Sequence, residues 1–196
     1  MSARWLACLM VIAVALVGLS TAHAEYDDGR PRNPRFLLMD SQGHSIDETT
    51  FAGRFQLITF GYTFCPDVCP TTLAEMAQVL EALGDGAAGL QPIFITVDPA
   101  RDTPEVVGRY TAFFDARIVG LTGAPALVAR VAENYRVRFE VVREPGAAEA
   151  EYSVDHSAGM FLLGPAGEYL TKFAYGTPVP VIVRRLKAYF DAARYR

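Results

Sequence analysis

Leu57-Ile58-Thr59-Phe60-Gly61-Tyr62-Thr63-Phe64-Cys65-Pro66-Asp67-Val68-Cys69-Pro70 is the stretch around which the rest of the chain is organised. Its first half is short, apolar and rich in β-branched and aromatic residues, the pattern of a buried strand. After Pro70, the segment Thr71 to Leu83 has helical spacing, and Thr72 with Glu75 fits a capping box. Two cysteines therefore sit on the turn between the C-terminal end of a strand and a helix. In open α/β folds that edge is where ligands bind. Because Pro70 has no backbone N–H to donate, the expectation is an irregular turn carrying both thiols, with regular helix from about Thr71.

The spacing is CxxxC, and residues four apart share one face of a helical turn. A helix N-terminus favours thiolate over thiol. Two thiolates can hold a soft metal such as Cu(I), or close reversibly into a disulfide. An inert structural disulfide is the blander alternative, but such a tight bridge would staple no large loop.

With 196 residues, the chain has enough material for one domain with a full core. Met1 to Ala24 has the form of a secretory signal: Arg4, an apolar run from Trp5 to Leu19, and Ala22-His23-Ala24 as a cleavage site. An uncleaved membrane anchor is the competing reading of the same residues. Residues 25–196 form the single remaining domain. Arg4 is the only charged residue in 1–24, so cleavage moves the net charge from −4 to −5. That acidity argues against nucleic acid as a partner. Cys8 and His23 leave with the segment. The mature chain then keeps two cysteines, Cys65 and Cys69, and two histidines, His44 and His156. Export would place the thiols in a disulfide-permissive compartment.

Outward from the cysteines, Phe36–Asp40 and Ser45–Asp47 read as a small N-terminal hairpin turning near Gly43, with His44 a solvated turn residue. Gly84 to Gly89 reads as a loop and Gln91 to Val97 as a second buried strand, ending at Asp98-Pro99. Asp102 or Thr103 can cap the next helix, with Pro104 in its first turn. Asp98 and Arg101 fall on the same sheet edge as the thiols. They either support the site or simply close the loop. A third helix spans Ala124 to Asn134, and strands follow at Arg136–Val142, Gly159–Leu163 and Glu168–Tyr175. Arg143 to Ser153 is a surface loop or hairpin tip, and Pro180 to Tyr195 is a final amphipathic helix. The order β-α-β-α-α-β-β-β-α predicts a central mixed sheet flanked by helices on both faces.

Two thiolates leave a Cu(II) site incomplete, since that ion prefers nitrogen ligands. His156, just before a late strand, is the candidate third ligand, with Asp155 placed to orient its ring or balance charge. A structural or solvated histidine is the ordinary alternative. Asp67, between the cysteines, is a further candidate for a supporting role.

Four blocks together resemble the Sco/SenC family of copper-binding assembly proteins: Phe60 to Thr72; Val97-Asp98-Pro99 with Arg101-Asp102-Thr103-Pro104; Ile118 to Gly123; and Asp155-His156-Ser157-Ala158. The resemblance covers roughly Phe36 to Phe190. It implies a thioredoxin-like fold and one copper, Cu(I) or Cu(II), held by Cys65, Cys69 and His156. It also implies a role in maturing the dinuclear copper centre of cytochrome c oxidase subunit II, or a related copper acceptor. Other copper chaperones or thiol reductants would be further partners, and the location an exported one, in the periplasm, soluble or anchored to the inner membrane. Such a protein is a metallochaperone and not primarily an enzyme. The alternative is a thiol–disulfide reductase that keeps the acceptor's cysteines reduced. A peroxidase of the peroxiredoxin type fits poorly, because its threonine stands three residues before the reactive cysteine and Thr63 stands two before Cys65.

Overall fold

The computed structural model describes residues 30–31 and 34–194. The proposed signal or anchor segment, 1–24, lies outside the described residues. Among these, no helix is long and apolar enough to cross a membrane.

A five-stranded sheet forms the centre. It uses β3 (Phe55–Gly61), β4 (Leu90–Thr96), β5 (Val119–Leu121), β8 (Met160–Leu163) and β9 (Tyr169–Phe173), in the order β5-β4-β3-β8-β9. Strands β3, β4 and β5 run parallel, while β8 is antiparallel to β3 and β9 to β8. Every residue of β3 and β4 is buried, as expected of strands covered on both faces. Pro92 is tolerated in β4 because pairing with β5 begins only at Ile93, leaving the proline a strand neighbour on one side.

The alternation of side chains sends Leu57, Leu90, Phe94, Met160 and Leu162 to one face and Ile58, Phe60, Ile93, Ile95 and Phe161 to the other. The first set packs on α1 (Val68–Leu83), α2 (Pro104–Phe114) and α4 (Val179–Arg194) through Leu73, Met76, Leu80, Val107, Ile182 and Leu186. The second packs on α3 (Pro125–Asn134) and on the hairpin of β1 (Leu37–Met39) and β2 (Ser45–Asp47). A mixed sheet with helices on both faces is what the element order predicts, and with the N-terminal hairpin it fits the thioredoxin-like fold that the resemblance implies.

Three local expectations need correction. Helix α1 starts at Val68, three residues before Thr71. Pro70 falls within the first turn, where backbone N–H groups have no partner inside the helix, so the missing donor costs nothing. The Thr72 hydroxyl donates to the Val68 carbonyl at 2.8 Å, so it does not serve as the N-cap of a capping box. Gly84–Gly89, expected as a loop, winds into a short 3-10 helix.

The remaining strands, β6 (Phe139–Val142) and β7 (Ser153–His156), pair only with each other, as an antiparallel ribbon separate from the central sheet. His156 is therefore the last residue of a strand. Its expected place was in the loop before β8.

Candidate metal centre

The structure brings Cys65, Cys69 and His156 together, with their ligand atoms all within 4.8 Å of one another. Cys65 lies on the turn after β3 and is partly exposed, whereas Cys69, in the first turn of α1, is buried. The Cys69 backbone N–H donates to Cys65 Sγ at 3.4 Å. Cys69 Sγ is 3.3 Å from His156 Nε2. Both cysteines are free thiols in this structure.

Bringing Cys69 this close to β3 requires a glycine. A Cβ on Gly61 would stand 2.7 Å from Cys69 Sγ and 2.8 Å from a ring carbon of Phe94. Gly159, just before β8, is packed against the end of β9. Its φ of +114° is a conformation side chains rarely adopt, and a Cβ there would stand 2.6 Å from the Phe173 carbonyl.

The orientation of the imidazole follows from its second nitrogen. His156 Nδ1 lies 3.2 Å from the Ser157 carbonyl, which can only accept, so Nδ1 carries the proton and the Nε2 lone pair points at Cys69. Asp155 does not hold the ring. Successive strand residues face opposite ways, and Asp155 is exposed on the outer side while Val154 and His156 share the inner one. Its charge only nudges the His156 pKa upward, against a net lowering caused first by burial.

The thiols differ from the sequence-based expectation in one respect. Although Cys69 sits at a helix N-terminus, burial pushes its thiol well above the ordinary range, and the Cys65 sulfur beside it adds to the shift. Loss of water outweighs the helix dipole, which is worth only about 0.3–1 kcal/mol at exposed sites. A cation bound alongside would favour deprotonation of Cys69.

Asp98, Arg101 and Tyr152 form the neighbouring cluster. Arg101 pairs with buried Asp98, the Tyr152 hydroxyl donates to Asp98 Oδ1 at 2.9 Å, and Arg101 Nη1 donates to the Tyr152 carbonyl at 2.9 Å. Asp98 also accepts the backbone N–H groups of Arg101 and Asp102 through its carbonyl, so it closes the loop as well. It bonds to Arg101 and Tyr152, not to the thiols or the imidazole. Asp67 is exposed at the N-cap of α1, and its side chain makes no cap bond.

Sequence reasoning missed Asp102. Read as a possible helix cap, it is fully buried, and Thr103 takes the cap role by accepting from Val106 N. The Asp102 carboxylate accepts the Thr63 N–H at 3.0 Å, the Thr63 hydroxyl at 2.6 Å, and the Thr96 hydroxyl. It thereby pins the turn leading into Cys65. Burial raises its pKa, and the threonine bonds lower it only in part. Its signal was present in Arg101-Asp102-Thr103-Pro104. Tyr152 and Tyr62 were also missed; the Tyr62 ring meets the His156 ring edge-on with centroids 6.1 Å apart. His44 is far from all of this, on the exposed hairpin turn, bonded to Asp40 at 3.2 Å.

The donor set fits a soft metal. Metal–sulfur bonds of about 2.3 Å and metal–nitrogen bonds of about 2.0 Å put donors around one ion about 3.5–4 Å apart. The observed spread, up to 4.8 Å, is that of a site slightly open at the exposed Cys65 side. Two thiolates select Cu(I) or zinc over hard ions, and the imidazole extends the range to Cu(II).

A protein-family model described as SCO1/SenC matches residues 24–191. "Protein sco1" of Schizosaccharomyces pombe is 34% identical over 164 residues, covering 83% of this chain and 62% of that protein. The chain spans about three-fifths of the length of that protein and of the SCO2 homologues of Bos taurus and Homo sapiens, which it also matches. Among solved structures, Bradyrhizobium japonicum ScoI with copper bound aligns with a TM-score of 0.73 at 38% identity, over 80% of this chain and 98% of that one. Arabidopsis thaliana ScoI with copper bound aligns with a TM-score of 0.76 at 29% identity, over 82% and 99%. Six-sevenths of the sequence, the thioredoxin-like frame and the Cys–Cys–His cluster all lead to one assignment: the chain belongs to the SCO1/SenC family.

Proposed function

We propose that this protein is a copper-delivery protein, with Cys65, Cys69 and His156 holding one copper ion as cargo. The observation that carries this reading is the 3.3 Å approach of the His156 Nε2 lone pair to Cys69 Sγ, which adds a nitrogen donor to the thiol pair. The copper-bound ScoI structures of B. japonicum and A. thaliana support it. Buried Cys69 retains the ion, His156 is the labile donor because imidazole holds Cu(I) less firmly than thiolate, and the more exposed Cys65 is the sulfur an acceptor reaches first. Transfer is then ligand exchange: soft donors of the acceptor replace those of this chain one at a time, with no change in the number of electrons. Family membership points to cytochrome c oxidase subunit II, or a related copper protein, as acceptor.

The second reading, a thiol–disulfide reductase for that acceptor, is favoured by the asymmetry of the thiols. Cys65 is placed to attack an external disulfide, and Cys69 to resolve the mixed disulfide. It does not use His156. Strains carrying His156→Ala at limiting copper separate the two. Delivery predicts loss of oxidase activity, as in a deletion, and rescue by added copper in both strains. Full activity of His156→Ala alongside inactive Cys65→Ala and Cys69→Ala would make the protein a reductase. Residues 1–24 we assign to export into the periplasm, by cleavage after Ala24 or as an anchor. Intact mass of the exported protein tells the two apart, since retention of 1–24 in a membrane fraction rejects cleavage.

A further inference from the structure

His156 depends for its position on a ribbon that shares no strand pairing with the central sheet. Its distance from Cys69 is set by whatever fastens β7 to the thiol edge. A polar fastening lies at Tyr152, the residue immediately before β7. Its hydroxyl donates to Asp98 Oδ1 at 2.9 Å, its carbonyl accepts from Arg101 Nη1 at 2.9 Å, and its ring lies 3.6 Å from the Arg101 guanidinium carbon. Arg101 in turn is ion-paired to Asp98, which is 4% exposed, in the loop after β4. The same guanidinium stands 5.7 Å from the Tyr62 ring and 4.7 Å from that of Phe64, the residue before Cys65. Tyr62 completes the circuit: its ring meets that of His156 edge-on.

We propose that Asp98, Arg101 and Tyr152 form a clamp that fixes β7 against the thiol edge and so sets the reach of His156 to Cys69. They are positioning residues and touch none of the three donors. The physical basis is the cost of release. Arg101 and Asp98 are both largely buried, so swinging Tyr152 away strips a hydrogen bond from a buried carboxylate and a carbonyl acceptor from a buried guanidinium. The stacked ring adds a cation–π contact at the same point. With the clamp closed, the third donor waits in place. With it open, a metal would be left to the two sulfurs. The consequence for metal rests on the copper reading above; the geometry of β7 does not.

The test uses Tyr152, whose replacement leaves the Asp98–Arg101 pair intact. Tyr152→Phe removes only the hydroxyl bond, and Tyr152→Ala removes the ring as well. In the reduced, metal-free protein, Tyr152→Ala should speed amide exchange in β7 about tenfold or more, while β3 and β4 exchange as in the wild type. With copper added, Cu(II) affinity should fall about tenfold, with a shifted thiolate charge-transfer band, and Cu(I) affinity should stay within about twofold. Tyr152→Phe should fall between Tyr152→Ala and the wild type in both readouts. Unchanged β7 exchange in Tyr152→Ala overturns the clamp. So does exchange that rises equally in all strands, or equal weakening of Cu(II) and Cu(I). If the wild type binds no copper, the ligand reading fails, and the metal-free exchange experiment still judges the clamp by itself.

Discussion

Replacing Gly61 by alanine should both destabilise the protein and disturb the thiol site. The added Cβ would lie 2.7 Å from Cys69 Sγ and 2.8 Å from a Phe94 ring carbon. Apolar atoms rest about 3.5–4.0 Å apart, so about 1 Å must be found on each side. Neither neighbour can swing into solvent: Phe94 is fully buried and Cys69 is 3% exposed. Gly61 itself is fixed, because its carbonyl accepts the Val97 N–H at 2.8 Å and it pairs with Thr96 across β3 and β4. Overpacking of this kind costs about 1–3 kcal/mol. For a chain of this size that corresponds to a fall in Tm of about 2–12 °C. Thermal unfolding of the reduced, metal-free protein measures the loss, and the Cu(II)–thiolate absorption band reports on the sulfur. The band should shift or weaken, because the helix end carrying Cys69 is the softer of the two walls. A variant with the wild-type Tm and the wild-type band would refute the claim that Gly61 exists to admit Cys69.

Four more outcomes follow from the site. In the reduced, metal-free protein, burial holds the His156 pKa below the usual 6.5, so as pH falls through that value the unfolded chain binds more protons than the folded one. Stability should drop there and level off below the lowered pKa, and His156→Asn should abolish the drop. At the other end, Cys69 keeps its proton when folded, so stability should also decline as pH rises above the ordinary thiol value of 9.0; Cys69→Ala losing stability identically would contradict this. Asp102→Ala should cost about 2–4 kcal/mol by orphaning the Thr63 and Thr96 donors, and Asp102→Asn less than about 1 kcal/mol, because hydroxyls can turn to accept from an amide; equal losses in a denaturant titration would argue against the hydrogen-bond account. Finally, the chain from residue 25 onward, isolated in air without metal, should show no titratable thiols before reduction and two after. Two free thiols that survive a mild oxidant would mean the turn keeps Cys65 and Cys69 from joining.

Much of this architecture could be read in the chain because its determinants are local. The apolar runs of β3 and β4, the helical spacing after Pro70 and the glycine turn of the first hairpin each announce themselves within ten residues. The thiol pair was legible for the same reason, since one turn carries both. His156 was legible only as a candidate: an isolated histidine says nothing about a sulfur 87 positions earlier. What escaped was long-range or dependent on burial. Asp102 looks like a helix cap until the fold places it against Thr63, 39 residues away. Tyr152 lay inside a polar stretch read as loop, and its partner Asp98 is 54 residues distant. The Cys69 thiol was expected to ionise readily because helix position is visible in sequence and desolvation is not. Asp155 stood as a candidate to orient the ring or balance charge; the two-residue period of a strand turns it away from the ring and leaves only the charge effect.

The central claim, that Cys65, Cys69 and His156 are the donors of one copper site, is tested most directly by anaerobic titration of the reduced protein with Cu(I) and Cu(II), with X-ray absorption at the copper edge. The account predicts one copper per chain, bound Cu(II) showing two sulfurs and an imidazole nitrogen. It predicts that Cys65→Ala and Cys69→Ala abolish the thiolate band, that His156→Ala weakens Cu(II) far more than Cu(I), and that His44→Ala changes nothing. A stoichiometry other than one, or equal effects of His156→Ala and His44→Ala, would contradict it.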